Sequence, residues 1–199
     1  MRLAVLLLAA LPACGQLISA GIKVGVPLTD AFWHNGGENI ITSSYDRRYI
    51  IGPTAEVRLP FHLAFEVDAL YRRNGFVINF TGLGSPPNYV LPPTTTRVTV
   101  NDWQVPFLAK YRRDKGPVEV FADGGIVYRH VSSGSSELSA PDSANTSGIA
   151  VGGGVSLKLL LIRVSPEIRY THWFTRPFST DVYFYNNSDQ TDFLLGITF

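Results

Sequence analysis

Trp103-Gln104-Val105-Pro106-Phe107-Leu108-Ala109-Lys110-Tyr111-Arg112, followed after a short break by Gly116-Pro117-Val118-Glu119-Val120-Phe121-Ala122-Asp123-Gly124-Gly125-Ile126-Val127-Tyr128, alternates with period two. Trp103, Val105, Phe107, Ala109 and Tyr111 share one face, against Gln104, Lys110 and Arg112 on the other. In the second run Val118, Val120, Ala122, Ile126 and Tyr128 oppose Glu119, Asp123 and Arg129. A helix would scatter these residues around its axis, whereas a strand sorts them onto two faces. With a turn in residues 114–117, the pair predicts a β-hairpin with one apolar, aromatic face and one charged face.

The same alternation extends outward in both directions. Residues 18–29 set Ile18, Ala20, Ile22, Val24, Val26 and Leu28 against Ser19, Gly21, Lys23, Gly25 and Thr29. Residues 49–59 oppose Tyr49, Ile51, Ala55, Val57 and Leu59 to Thr54, Glu56 and Arg58. Residues 62–72 oppose Leu63, Phe65, Val67, Ala69 and Tyr71 to Glu66, Asp68 and Arg72. Residues 149–158 are Gly-rich, with Ile149, Val151, Val155 and Leu157 on the apolar face. Residues 162–173 oppose Ile162, Val164, Ile168 and Tyr170 to Arg163, Glu167 and Arg169. Residues 192–199 oppose Phe193, Leu195, Ile197 and Phe199 to Asp192 and Thr198. That makes eight strands of about the 9–11 residues that a tilted membrane-crossing strand needs.

Short turns at Pro60-Phe61, 114–117 and 158–161 alternate with long polar connections at 30–48, 73–99, 131–147 and 174–191. This rhythm predicts an all-β, eight-stranded, antiparallel up-and-down transmembrane barrel with short periplasmic turns and long outer loops. Leu159-Leu160-Leu161 holds no turn-forming residue, and Pro53, Pro106 and Pro166 fall inside strands, where bulges or displaced boundaries are expected.

Composition agrees. Of 199 residues, 17% are charged and 45% hydrophobic, with nine Tyr and twelve Phe, and no long apolar run follows the N-terminus. A disordered tail and a helical membrane protein are both excluded. The formal charge of +1 gives no nucleic-acid surface. Arg2, the apolar run 3–11 and the small residues Ala13-Cys14-Gly15 read as a signal peptide over 1–15, leaving a barrel domain over 16–199. Leu11-Pro12-Ala13-Cys14 also resembles a lipobox, which would put a lipid on Cys14. Cys14 is the single cysteine; cleavage after Gly15 removes disulfide, redox and Cys-zinc chemistry.

Alternation alone does not say which face points inward. Three features place the apolar face outward: aromatics near strand ends (Tyr49, Tyr71, Trp103, Tyr111, Tyr128, Tyr170, Phe199), a charged face diluted with Gly, Ser and Thr, and the closing series Phe193, Leu195, Ile197, Phe199. Lys23, Glu56, Arg58, Glu66, Asp68, Arg72, Lys110, Arg112, Glu119, Asp123, Arg129, Arg163, Glu167, Arg169 and Asp192 then point inward. Buried charges must be paired, so an interior ion-pair network that plugs the barrel is expected.

Residues 103–112 with 116–128 resemble the middle hairpin of the small outer-membrane β-barrel domain family. That family is often labelled "porin family" and is related in shape to OmpX, Opa and the OmpA barrel. The resemblance extends through Arg163-Val164-Ser165-Pro166-Glu167-Ile168-Arg169-Tyr170 to Phe199. It implies export to the bacterial outer membrane, contact with lipid and lipopolysaccharide, and recognition of the last strand by the outer-membrane assembly machinery. It implies no cofactor and no particular activity.

His130-Val131-Ser132, with Glu137 nearby, faintly resembles the His-x-Ser of the lipid A deacylases, eight-stranded barrels that use a His/Ser/Glu constellation. Ser133 stands where that family has Asn, and no matching Asn-Pro-Gly segment follows. The non-catalytic reading of this stretch is a strand end entering a Ser-rich loop. His34, His62 and His172 have no metal-ligand spacing, so no metal site is expected. Gly152-Gly153-Gly154 precedes no helix and is no phosphate loop. The aromatic loops around Phe32-Trp33-His34, Phe76 to Phe80, Pro86-Pro87-Asn88-Tyr89 and Phe174 to Tyr185 are where an extracellular ligand would bind. The reading is a non-enzymatic surface barrel, with a His130/Ser132 hydrolase and a narrow passive channel as alternatives.

Overall fold

A computed structural model describes residues 18–29, 32–33, 40–44, 47–80, 83–84, 89–90, 94–133, 143–175 and 185–199. Their regular structure is all strand. The long strands are β1 (Ile18–Pro27), β2 (Arg47–Arg58, prolonged by Ile40–Ser44), β3 (Leu63–Asp68 and Leu70–Phe80, parted by Ala69), β4 (Thr94–Lys115), β5 (Val118–Ser133), β6 (Ser143–Leu159), β7 (Ile162–Trp173) and β8 (Asp189–Thr198). Each pairs antiparallel with the next, and β8 returns to β1 through Ile22↔Ile197 and Val24↔Leu195. The sheet is a closed eight-stranded barrel, with no free edge to protect.

One end carries three tight turns. Pro60, Phe61 and His62 link β2 to β3, with the Leu59 N–H donating to the Leu63 carbonyl at 2.9 Å. Gly116-Pro117 links β4 to β5, with Gly116 at φ 72°. Leu160-Leu161 links β6 to β7 with Leu159 opposite Ile162, so the turn falls within the expected 158–161 despite having no Gly, Asn or Asp. Two-residue hairpins demand positive φ, and Leu160 supplies it at 49°. Phe61 and His62, both at φ 65°, do the same. These bulky residues hold a conformation that costs L-residues about 1–2 kcal/mol each.

The three strand prolines interrupt hydrogen bonding without shifting register. β3 and β4 pair from Leu63↔Tyr111 to Val67↔Phe107 and resume in the same register at Leu70↔Gln104. The gap spans Asp68 and Ala69, beside Pro53 of β2 and Pro106 of β4, neither of which has an N–H to give. The Ala69 N–H still reaches the Pro53 carbonyl at 3.0 Å. At Pro166 the β6–β7 ladder likewise skips from Gly154↔Glu167 to Leu157↔Val164 in unchanged register. The register shift that does occur lies elsewhere, between Arg47 and Ile50.

At the opposite end the strands outrun the expected limits. β4 begins nine residues before Trp103, and its 22 residues reach roughly 70 Å at ~3.3 Å each, more than any bilayer needs. Backbone pairing also joins the connections: Phe32–Trp33 pairs with Tyr185–Asn186, and Leu83–Gly84 with Tyr89–Val90.

The two faces divide as the alternation predicts. Thirty-two large hydrophobic side chains of the described residues are exposed, including Ile126, Phe107, Phe65, Ile168 and Phe193, whereas ten apolar ones are buried. Twenty polar or charged residues are buried. In water such an exchange of core for surface would be untenable, because soluble surfaces do not carry apolar patches of this size.

Candidate functional site

The barrel interior is built from inward positions of all eight strands, and its charges form three tiers, the lower two joined through Lys110. Nearest the turns, Arg112 of β4 lies between Glu56 of β2 and Glu119 of β5, hydrogen-bonded to both. Arg58 Nε adds to Glu56 at 3.3 Å, and Lys158 Nζ stands 3.7 Å from Glu119. The Phe121 ring lies under Lys110 Nζ at 4.2 Å and near Arg112 at 5.9 Å, so one aromatic face serves two cations.

The middle tier crosses the lumen. Lys23 Nζ donates to Glu66 at 2.5 Å, Glu167 at 3.0 Å and Asp68 at 3.1 Å. Arg169 donates to Glu167 at 2.7 Å, Asp68 at 2.9 Å and Glu66 at 3.2 Å. Lys110 bonds Glu66 and lies 3.7 Å from Glu56, joining this tier to the one below. Each carboxylate is shared between cations, which is what offsets the desolvation of so many ions.

The third tier faces the long connections. Arg72 donates to Gln190 at 2.9 Å and Asp192 at 3.3 Å and lies 3.5 Å from Asp102. Arg129 donates to Asp102 at 3.0 Å through Nε, and its guanidinium lies 5.0 Å over the Trp173 ring. Gln104 donates to Asp102 at 3.2 Å, and Trp173 Nε1 to Gln190 at 2.9 Å. Asp102, Gln190 and Trp173 were not among the residues expected inside.

The expected interior residues therefore meet, with two exceptions in degree. Asp123 is buried, yet neither carboxylate oxygen has a hydrogen-bond partner among the described residues. Arg163 is half-buried and forms no ion pair among the described residues.

The catalytic candidates His130 and Ser132 lie on the other face. His130 and Ser132 share the outward side of β5, but His130 Nδ1 stands 2.7 Å from Asn145 Oδ1 on β6, and no hydrogen bond joins it to Ser132 among the described residues. Glu137 and His34 lie outside the described residues, as do residues 1–15 and Cys14. His172 Nδ1 meets Asp189 Oδ1 at 2.7 Å, and the Tyr170 hydroxyl donates to the same oxygen at 2.5 Å. His62 stands against Tyr111 at the turn end, with ring centroids 6.3 Å apart. No three His, Cys, Asp or Glu side chains gather as metal ligands among the described residues.

Aromatics stand on the outer wall. Tyr71 and Trp103 pack with centroids 5.1 Å apart, Tyr128 and Tyr170 are exposed on the same outer wall, and the Tyr71 hydroxyl donates to Asn101 at 2.8 Å. Tyr111, Phe61 and Phe199 occupy the turn end. At the closing seam the Phe199 N–H donates to the Ala20 carbonyl at 3.0 Å.

No family model matches the chain, and no curated protein matches it in sequence. Solved structures do match in shape. Neisserial surface protein A aligns over 91% of this chain and 95% of its own, with TM-score 0.53 and 14% identity. The N-terminal β-barrel domain of Pseudomonas aeruginosa OprF aligns over 92% and 98%, with TM-score 0.47 and 7% identity. Ail, the attachment invasion locus protein of Yersinia pestis, aligns over 92% and 98%, with TM-score 0.45 and 10% identity. At such identities the likeness is one of fold: the chain shares the small eight-stranded β-barrel fold of Neisserial surface protein A.

Proposed function

We propose that this chain is an integral barrel of the bacterial outer membrane, closed through its middle, with a structural or surface-interaction role and no catalytic one. The observation that carries the reading is the inversion of polarity: the wall facing outward is apolar, and the ion pairs are inside. Hydrocarbon accepts that wall, and closed antiparallel pairing leaves no sheet edge open to lipid. The exposed aromatics suit the two interfaces, and the tight turns suit the periplasmic side.

Closure follows from the middle tier, whose ion pairs run directly between strands on opposite sides of the ring. The "porin" label of similar barrels brings no channel with it in this reading. Lipid and lipopolysaccharide are the partners of the wall. Phe193, Leu195, Ile197 and Phe199 are the signal for the assembly machinery, and a ligand, if one is held, belongs to the long connections. Neisserial surface protein A, a surface protein by its name, is consistent with this placement. The test is extraction: after an alkaline carbonate wash the protein stays with outer membranes and leaves only with detergent. Release into the aqueous wash would overturn the assignment.

A further inference from the structure

The turn end of the barrel holds a cavity of about 200 Å³ with an unusual lining. Arg58, Lys158 and Arg163 border it, and Leu160, Leu161 and Phe199 form its lip. Two side-chain carboxylates, Glu56 and Glu119, serve this level, and both are already hydrogen-bonded by Arg112. Arg58 shares Glu56, Lys158 lies near Glu119, and Arg163 has no carboxylate among the described residues. Basic side chains outnumber acidic ones here, whereas the tiers above are matched or acidic. Hydrogen-bonding capacity is also left over: Ser19 Oγ, Arg58 Nη2 and Arg163 Nε, buried atoms of residues that line this cavity, have no hydrogen-bond partner among the described residues.

The lip is apolar where a water-facing turn has no reason to be. Leu160 and Leu161 are essentially fully exposed, Phe199 is largely so, and Leu160 is kept at positive φ. Excess arginine and unsatisfied donors call for an oxyanion, and arginine's fork suits phosphate oxygens. Exposed leucines beside them call for an acyl chain rather than water.

We propose that this mouth binds the phosphate of an anionic phospholipid, Arg163 and Arg58 taking the phosphate oxygens and Leu160, Leu161 and Phe199 lying against the glycerol and upper acyl chains. The choice of a lipid over free phosphate rests on the membrane reading above.

The test uses full-length mature protein in detergent, shown to be folded by its unboiled gel shift, with native mass spectrometry after addition of phosphatidylglycerol or phosphatidylcholine. The expected result is retention of one phosphatidylglycerol in preference to phosphatidylcholine, with at least a tenfold loss of that preference in Arg58→Gln/Arg163→Gln. Leu160→Asn should weaken retention with the gel shift intact. Equal retention of both lipids, or no change in the double variant while the gel shift persists, would overturn the site and leave the barrel reading standing. Displacement of the lipid by equimolar inorganic phosphate would make it a free-phosphate site and overturn the lipid assignment.

Discussion

Arg169 of β7 donates to Asp68 of β3 at 2.9 Å, and these strands stand four places apart in a ring of eight. Lys23 of β1 joins the same two strands by reaching Asp68 and Glu167. Opposite walls of the barrel are thus joined by single hydrogen bonds.

The first prediction concerns that span. Arg169→Ala leaves Glu66, Asp68 and Glu167 with one fewer buried partner, a loss expected to cost about 3–5 kcal/mol. The temperature at which the unboiled gel band converts to the unfolded position should fall well below that of the wild type. An unchanged conversion temperature would mean that the ion pairs contribute nothing to holding the walls together.

Closure itself is measurable. A middle tier that fills the bore, as proposed, predicts that the wild-type protein gives no discrete conductance steps in planar bilayers. Steady steps from well-folded protein would contradict the plug and favour a channel.

Adjacent glycines on β5 give a matched pair. A Cβ on Gly125 would lie 2.0 Å from the Phe107 carbonyl oxygen of β4, whereas one on Gly124 would meet nothing nearer than 3.6 Å. Gly125→Ala must push two paired strands apart and should cost about 1–3 kcal/mol in urea unfolding, with Gly124→Ala within roughly 0.5 kcal/mol of wild type. Equal effects would show that the close approach of β4 and β5 is not a constraint.

The strained turn gives a prediction of opposite sign. Leu160→Gly removes the left-handed penalty at φ 49° and, after the larger entropy loss of glycine on folding, should raise stability by about 0.5–1 kcal/mol. A drop in stability would mean that the leucine side chain contributes more to the fold than its exposure indicates.

Much of this architecture is legible in the alternation. Lys23, Glu66, Asp68, Glu167 and Arg169 share a parity with their strands' polar positions, and that parity sends them inward together. What parity cannot supply is where a strand stops. Asp102 and Gln190 sit just beyond the last clear apolar–polar pairs, at the loop ends of β4 and β8, where Thr94 to Val100 is mostly threonine and valine and no longer sorts by face. Trp173 lies on the inward parity of β7, but an aromatic inside a charged bore runs against composition, and only the Arg129 stack and the Gln190 bond explain it. The Leu160-Leu161 turn is hidden because turn-forming residues are recognised by low strain, and this turn accepts strain. The prolines mislead in another way: a residue without an N–H can drop a ladder bond and leave the register alone.

The most direct measurement of the central claim is the gel mobility of the protein in purified outer membranes, with and without boiling in SDS. An inverted, closed barrel predicts an unboiled band that migrates apart from the boiled one and sits in the membrane fraction. One heat-independent band, recovered in the soluble fraction, would contradict it and turn the apolar face inward.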